Sequence, residues 1–167
     1  MRPSPKNISL PRVLIAEPSP PVANSFKKFL EGWAQVQVVT YLDEAVQIAR
    51  SRAPDVLIST VSAMFDGEAL APQVRKLCPE TAIILAFSPP WEVEGVSERV
   101  RAAGADGFMV APFKQHHVLA MVQAVSRLNG LAAQLGSLQA KFEKLKSAAP
   151  KQAQPVRWAG VNAVERG

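Results

Sequence analysis

The 167-residue chain contains one cysteine, Cys78. A lone thiol excludes an internal disulfide and a cysteine-based zinc site. No apolar run reaches the roughly 18 residues that a membrane-spanning helix needs. The first residues, MRPSPKNISLPR, lack the apolar stretch of a signal peptide, so a cytoplasmic location is expected. No glycine-rich phosphate loop follows the first apolar run, where Glu17-Pro18-Ser19-Pro20 stands instead. Neither an acid–base pair nor a metal-ligand constellation appears, so the chain is not expected to be an enzyme. Hydrophobic residues make up 48% and charged residues 20%, which fits a globular core.

Charge is plentiful but uneven. Residues 1–126 carry 12 basic and 12 acidic side chains, whereas residues 127–167 carry 7 and 2. The whole excess of +5 therefore lies in a C-terminal arm suited to an acidic partner surface.

Two kinds of apolar pattern alternate along the chain. Short runs rich in β-branched residues recur at 12–17, 36–40, 55–60, 82–87 and 107–111, as expected of strands buried on both faces. Segments with helical spacing lie between and after them. Five strand–helix alternations predict an α/β domain: a five-stranded parallel sheet, doubly wound, with helices on both faces.

The fifth helix does not stop where such a domain ends. Leu128, Leu131, Leu135, Leu138, Phe142 and Leu145 are spaced 3, 4, 3, 4, 3, a heptad seam. The expected role is a coiled-coil or helical partner contact, such as a homodimer; the alternative is a helix folded back on its own domain. Gly130 and Gly136 each weaken the helix by up to about 1 kcal/mol. The expected organisation is a disordered N-terminus at 1–10, a domain at 11–128, a helical extension at 129–147 and a flexible basic tail at 148–167. Trp158 is the one adhesive residue of that tail.

Several stations, in order, carry a resemblance. These are VLIAEPSP (13–20), PDVLIST (54–60), FDGEAL (65–70), PETAIILAFS (79–88) and AGADGFMVAPF (103–113). Over residues 11–128 the chain resembles the receiver domain of bacterial two-component response regulators. The resemblance implies the flavodoxin-like receiver fold and a pocket at the carboxyl ends of the strands. There the family binds Mg²⁺ through carboxylates, phosphorylates an aspartate and neutralises the charge with metal and lysine.

This sequence departs from that pattern at most of its chemical positions. The acidic pair aligns with Glu17 and Pro18. The phosphoacceptor falls on Thr60 counting forward from Pro54, or on Ser59 counting back from Asp66-Gly67. The switch hydroxyl aligns with Phe87, with Ser88 next. The lysine is Ala111. The switch aromatic is kept as Phe108. Magnesium is not expected to bind usefully with so few carboxylates. A threonine hydroxyl without a general base does not replace the aspartate.

A phosphorylation-independent pseudo-receiver is therefore expected, acting as an interaction or adaptor module toward a protein partner. The resemblance places binding surfaces on the fourth helix, fifth strand and fifth helix, which here present Trp91, Arg99, Phe108 and His116; Val96 and Leu119 belong either to that face or to the core. Leu131, Leu135, Leu138 and Phe142 extend the expected contact along the arm. Two alternatives remain at this stage. One is a receiver phosphorylated on Thr60, Ser59 or Asp66. The other is nucleic-acid binding through Lys141, Lys144, Lys146, Lys151 and Arg157, disfavoured because no recognition motif accompanies them.

Overall fold

A computed structural model describes residues 9–89 and 95–148. The chain divides into two compact units, Met1–Ala133 and Gln134–Gly167. Among the described residues, the second unit consists of the last turns of one helix.

The first unit is built on five parallel strands: β1 (Arg12–Ala16), β2 (Gln35–Val39), β3 (Val56–Ser62), β5 (Ala82–Phe87) and β6 (Gly107–Val110). Their order is β2-β1-β3-β5-β6. Successive side chains of a strand face opposite sides. Val13, Ile15, Val56, Ile58, Ile84 and Ala86 thus enter one core layer, and Leu14, Ala16, Leu57, Ile83, Leu85 and Phe87 enter the other. Each central strand is apolar on both faces, which explains the unbroken runs in the sequence.

The helices α1 (Pro20–Leu30), α2 (Leu42–Ser51), α3 (Gly67–Leu77), α4 (Val96–Ala102) and α5 (Gln115–Ala148) supply the covering stripes. On one side, Phe26 and Leu30 of α1 and Val118, Val122 and Val125 of α5 pack on the sheet. Phe26 is fully buried and meets the Phe113 ring at 4.9 Å between centroids. Burial of one such side chain contributes up to about 3 kcal/mol. On the other side lie Ala45 and Ala49 of α2, Leu70 and Val74 of α3, and Val96 and Val100 of α4.

One strand was not expected. β4 (Phe65–Asp66) pairs antiparallel with the end of β3, Val61 opposite Asp66 and Ser62 opposite Phe65. β3 consequently runs two residues beyond Thr60, and a tight turn at Ala63 and Met64 replaces a longer loop. Its ladder satisfies backbone groups that a loop leaves to other partners.

The amino-terminal edge of the sheet is closed by ion pairs. Arg12 clasps Asp55 with Nη2 to Oδ1 at 3.1 Å, while its backbone N–H donates to Oδ2 at 2.7 Å. Arg75 donates to the carbonyls of Pro79 and Thr81, both at 2.8 Å, and to Asp106 Oδ2 at 2.7 Å. Asp106 in turn accepts the Ile83 N–H at 2.8 Å. One guanidinium thus ties α3 to the entry of β5 and the turn before β6.

The expected N-terminal segment lies mostly outside the described residues, as does the tail from 149 onward. α5 itself runs to Ala148. No helix among the described residues is long and apolar enough to cross a membrane.

Candidate functional site

In open α/β sheets the crevice forms at the carboxyl ends of the strands where the strand order reverses. Here that point lies between β1 and β3. Ala16 is in register with Ser59, so Glu17 and Thr60 follow side by side. Glu17 is 2% exposed and Thr60 1%. The Thr60 hydroxyl donates to Glu17 Oε2 at 2.6 Å, and the Ser19 N–H donates to Oε1 at 2.7 Å. Both carboxylate oxygens are therefore occupied by protein donors. Pro18, between them in sequence, offers no side-chain ligand.

Strand parity separates the two candidates for the acceptor position. Thr60 faces Glu17. Ser59 donates instead to the Gly67 carbonyl at 3.0 Å, securing the start of α3. Gly67 approaches β3 so closely that a Cβ there would lie 2.0 Å from the Thr60 carbonyl oxygen and 2.5 Å from Ser59 Oγ. Asp66 is exposed and serves as the α3 N-cap, its Oδ1 accepting the Ala69 N–H at 3.2 Å. The acceptor of the Thr60 hydroxyl is the Glu17 carboxylate. Nothing in the sequence spacing brings those two residues together.

Across β5 the site is apolar. Phe87 is fully buried and meets Phe108 edge-on, with centroids 6.4 Å apart. The Arg99 guanidinium lies 5.2 Å from the centre of the Phe87 ring. Glu68 holds Arg99 through Nε to Oε1 at 2.8 Å and a second, shorter bond from Nη2. The hydrogen bond that Arg99 donates to Glu68 raises the Arg99 pKa against a smaller lowering by burial, and the charges of Glu68 and Asp66 add to the rise. Arg99 is thus already engaged on α4, a long-range arrangement with no sequence signal. Ser88 is half-buried, and Ala111 N–H donates to the Phe87 carbonyl at 2.9 Å. The Ala111–Pro112 bond is cis.

The receiver-like pocket implies a magnesium ion, and the residues present do not fit one. A hard divalent cation needs oxygen ligands with charge to match. Glu17 is the single carboxylate of the pocket described here, and its two oxygens already accept hydrogen bonds. Phe87 and Ala111 add neither an oxygen side chain nor a cation. No cluster of three metal-ligating side chains occurs among the described residues.

The remaining candidate residues are dispersed. Val96 belongs to the core layer on the α4 side of the sheet, and Leu119 packs partly buried against the other layer, on the α5 side. Phe108 is 38% exposed at the rim of an apolar groove of about 550 Å³ between β6 and α5, lined also by Met109, Phe113, His117 and Met121. His116 is exposed and its ring packs on His117 at 4.2 Å. Trp91 and Trp158 lie outside the described residues. Leu131, Leu135, Leu138 and Phe142 are each 56–64% exposed.

No protein-family model matches the sequence, and no curated protein matches it. Solved structures do resemble it. NtrX from Brucella abortus, in complex with ADP, is 18% identical with a TM-score of 0.70 over 78% of this chain and 29% of NtrX. This chain therefore spans less than a third of that protein's length. A CheY-like response regulator receiver domain protein from Methanospirillum hungatei is 19% identical, with a TM-score of 0.67, covering 74% of this chain and 99% of that one. The signal receiver domain of a modulated diguanylate cyclase from Desulfovibrio desulfuricans is 22% identical, with a TM-score of 0.63 over 74% and 99%. At these identities the likeness is one of fold, and the chain carries the α/β fold of response regulator receiver domains.

Proposed function

We propose that this chain is a pseudo-receiver: a protein-interaction module of two-component-type signalling that acts without phosphoryl transfer and catalyses no reaction. The carrying observation is the closed Glu17–Thr60 pair. A threonine stands at the acceptor position and its hydroxyl is spent on the one carboxylate. Phosphoryl transfer needs cationic groups to stabilise the developing charge. Here Ala111 and Phe87 supply none. Losing one such interaction costs on the order of 3 kcal/mol in a reaction barrier, and several are missing together. The interaction surface is the exposed apolar seam of α5.

The same pair favours one other reading, phosphorylation of Thr60 with Glu17 as base. Its weakness is electrostatic. A phosphoryl group carries nearly two negative charges, and on Thr60 it would stand against the Glu17 carboxylate, with neither Phe87 nor Ala111 supplying a cation. Incubation of the full chain with acetyl phosphate and Mg²⁺, followed by intact-mass measurement, tests both. The proposal expects an unchanged mass. An adduct of about 80 Da, the mass of one phosphoryl group, replaces it with the second reading.

A further inference from the structure

The six seam residues of α5 are large, apolar and 56–72% exposed. Taking Leu128 as position a, the heptad places Leu131, Leu138 and Leu145 at d and Leu135 and Phe142 at a. Gly130 and Gly136 fall at c and b on the outer face, with open space around each. The seam itself therefore has no gap. Facing two such seams removes on the order of 1,000 Å² from water, about the lower bound for a specific interface.

The flanking positions decide the orientation. In a parallel pair, position g of one helix meets position e of the next heptad on the other. Lys141 would then face Lys146 of the partner subunit, twice by symmetry. In an antiparallel pair, g meets g and e meets e. Lys141 then meets Gln134 of the partner subunit, and Ala132 meets Gln139 of the partner subunit. The like-charge contacts vanish. The spacing 3, 4, 3, 4, 3 also reads the same in reverse, so a two-fold axis brings the seam onto itself with every layer filled. Leu128 meets Leu145 of the partner subunit, Leu131 meets Phe142 of the partner subunit, and Leu135 meets Leu138 of the partner subunit.

We infer that α5 binds a second copy of this chain in antiparallel register about a two-fold axis between Leu135 and Leu138. The inference rests on the interaction-module reading above and names the partner of that seam.

Sedimentation equilibrium of the full chain tests the state, and cysteine pairing tests the orientation. The full chain is expected to be a dimer. Leu138→Glu, which buries a charge in the seam, is expected to weaken dimerisation by on the order of 100-fold or more. Ser137→Glu, on the outer face, is expected to leave the dimer intact; both should keep the helical circular dichroism. Under oxidation, a mixture of Leu135→Cys and Leu138→Cys chains is expected to form the mixed disulfide in preference to either homodimer. A monomer at all concentrations overturns the inference, as does preferential Leu135→Cys homodimer formation, the mark of parallel helices. Either result leaves the phospho-independence of the pocket standing, because the acetyl phosphate measurement alone decides that.

Discussion

The Thr60 hydroxyl donates to Glu17 Oε2 at 2.6 Å, with both side chains almost wholly removed from water. The pair is a buried polar contact near the end of β3. It also couples β3 to the loop after β1, because Glu17 accepts the Ser19 N–H with its other oxygen.

Thr60→Val keeps the shape of the side chain and removes the donor. A buried carboxylate oxygen then loses its partner, which costs about 1–3 kcal/mol. Urea unfolding is expected to show a loss of that size. Thr60→Ser, which retains the hydroxyl, is expected to lose less. Equal losses for the two variants would mean that the hydroxyl contact contributes nothing.

Gly67 is a packing requirement. A methyl group there would sit 2.0 Å from the Thr60 carbonyl oxygen, well inside any real contact. The obstruction is backbone in the middle of the sheet, so it does not yield by a rotamer change. Gly67→Ala is expected to destabilise by more than about 3 kcal/mol, or to prevent folding, as judged by thermal melting. Gly136→Ala meets nothing within 4 Å and adds helix propensity, for an expected gain of up to about 1 kcal/mol.

Much of this fold is legible in the sequence because burial on both faces leaves unbroken runs such as Val56–Ile58 and Ala82–Phe87. The edge strand β2, QVQVV, shows the alternation of a strand with one wetter face. β4 is not legible. Two residues, Phe65 and Asp66, carry no period, and they are a strand only because Val61 and Ser62 pair with them. The site divides in the same way. That Thr60, Phe87 and Ala111 stand where receiver domains carry their chemical groups is what the resemblance implies. That Thr60 rather than Ser59 meets Glu17 is a matter of strand register, which spacing left one residue ambiguous. The Arg99–Phe87 contact joins α4 to β5 through space, and no local pattern encodes it.

Arg75 illustrates a structural guanidinium. Its two terminal nitrogens reach the Pro79 and Thr81 carbonyls, the Gly104 carbonyl at 3.2 Å and the Asp106 carboxylate. A lysine has one charged nitrogen and cannot span these acceptors. Arg75→Lys is therefore expected to recover little of the stability lost in Arg75→Ala, which should be about 2 kcal/mol by chemical denaturation. Full recovery by lysine would reduce the cluster to a simple charge pair.

Asp55 gives a pH dependence with a definite sign. Burial pushes its carboxyl up, but the Arg12 side-chain hydrogen bond, the Arg12 backbone N–H and the Arg12 charge together outweigh burial, and the net shift is downward. A carboxyl whose folded pKa is depressed binds fewer protons folded than unfolded, so stability rises with pH across the interval between the two values. The contribution is complete above the ordinary aspartate value of about 4 and is lost as pH falls through the lower folded value. Both side chains are about half exposed, so solvent screening holds its size to about 1 kcal/mol or less. Asp55→Asn removes it. The stability difference between wild type and Asp55→Asn is expected to stay flat from pH 7 to about pH 4 and to shrink below that. Denaturant midpoints measured for both proteins across pH 2–7 check the sign, and a difference that widens on acidification would refute it.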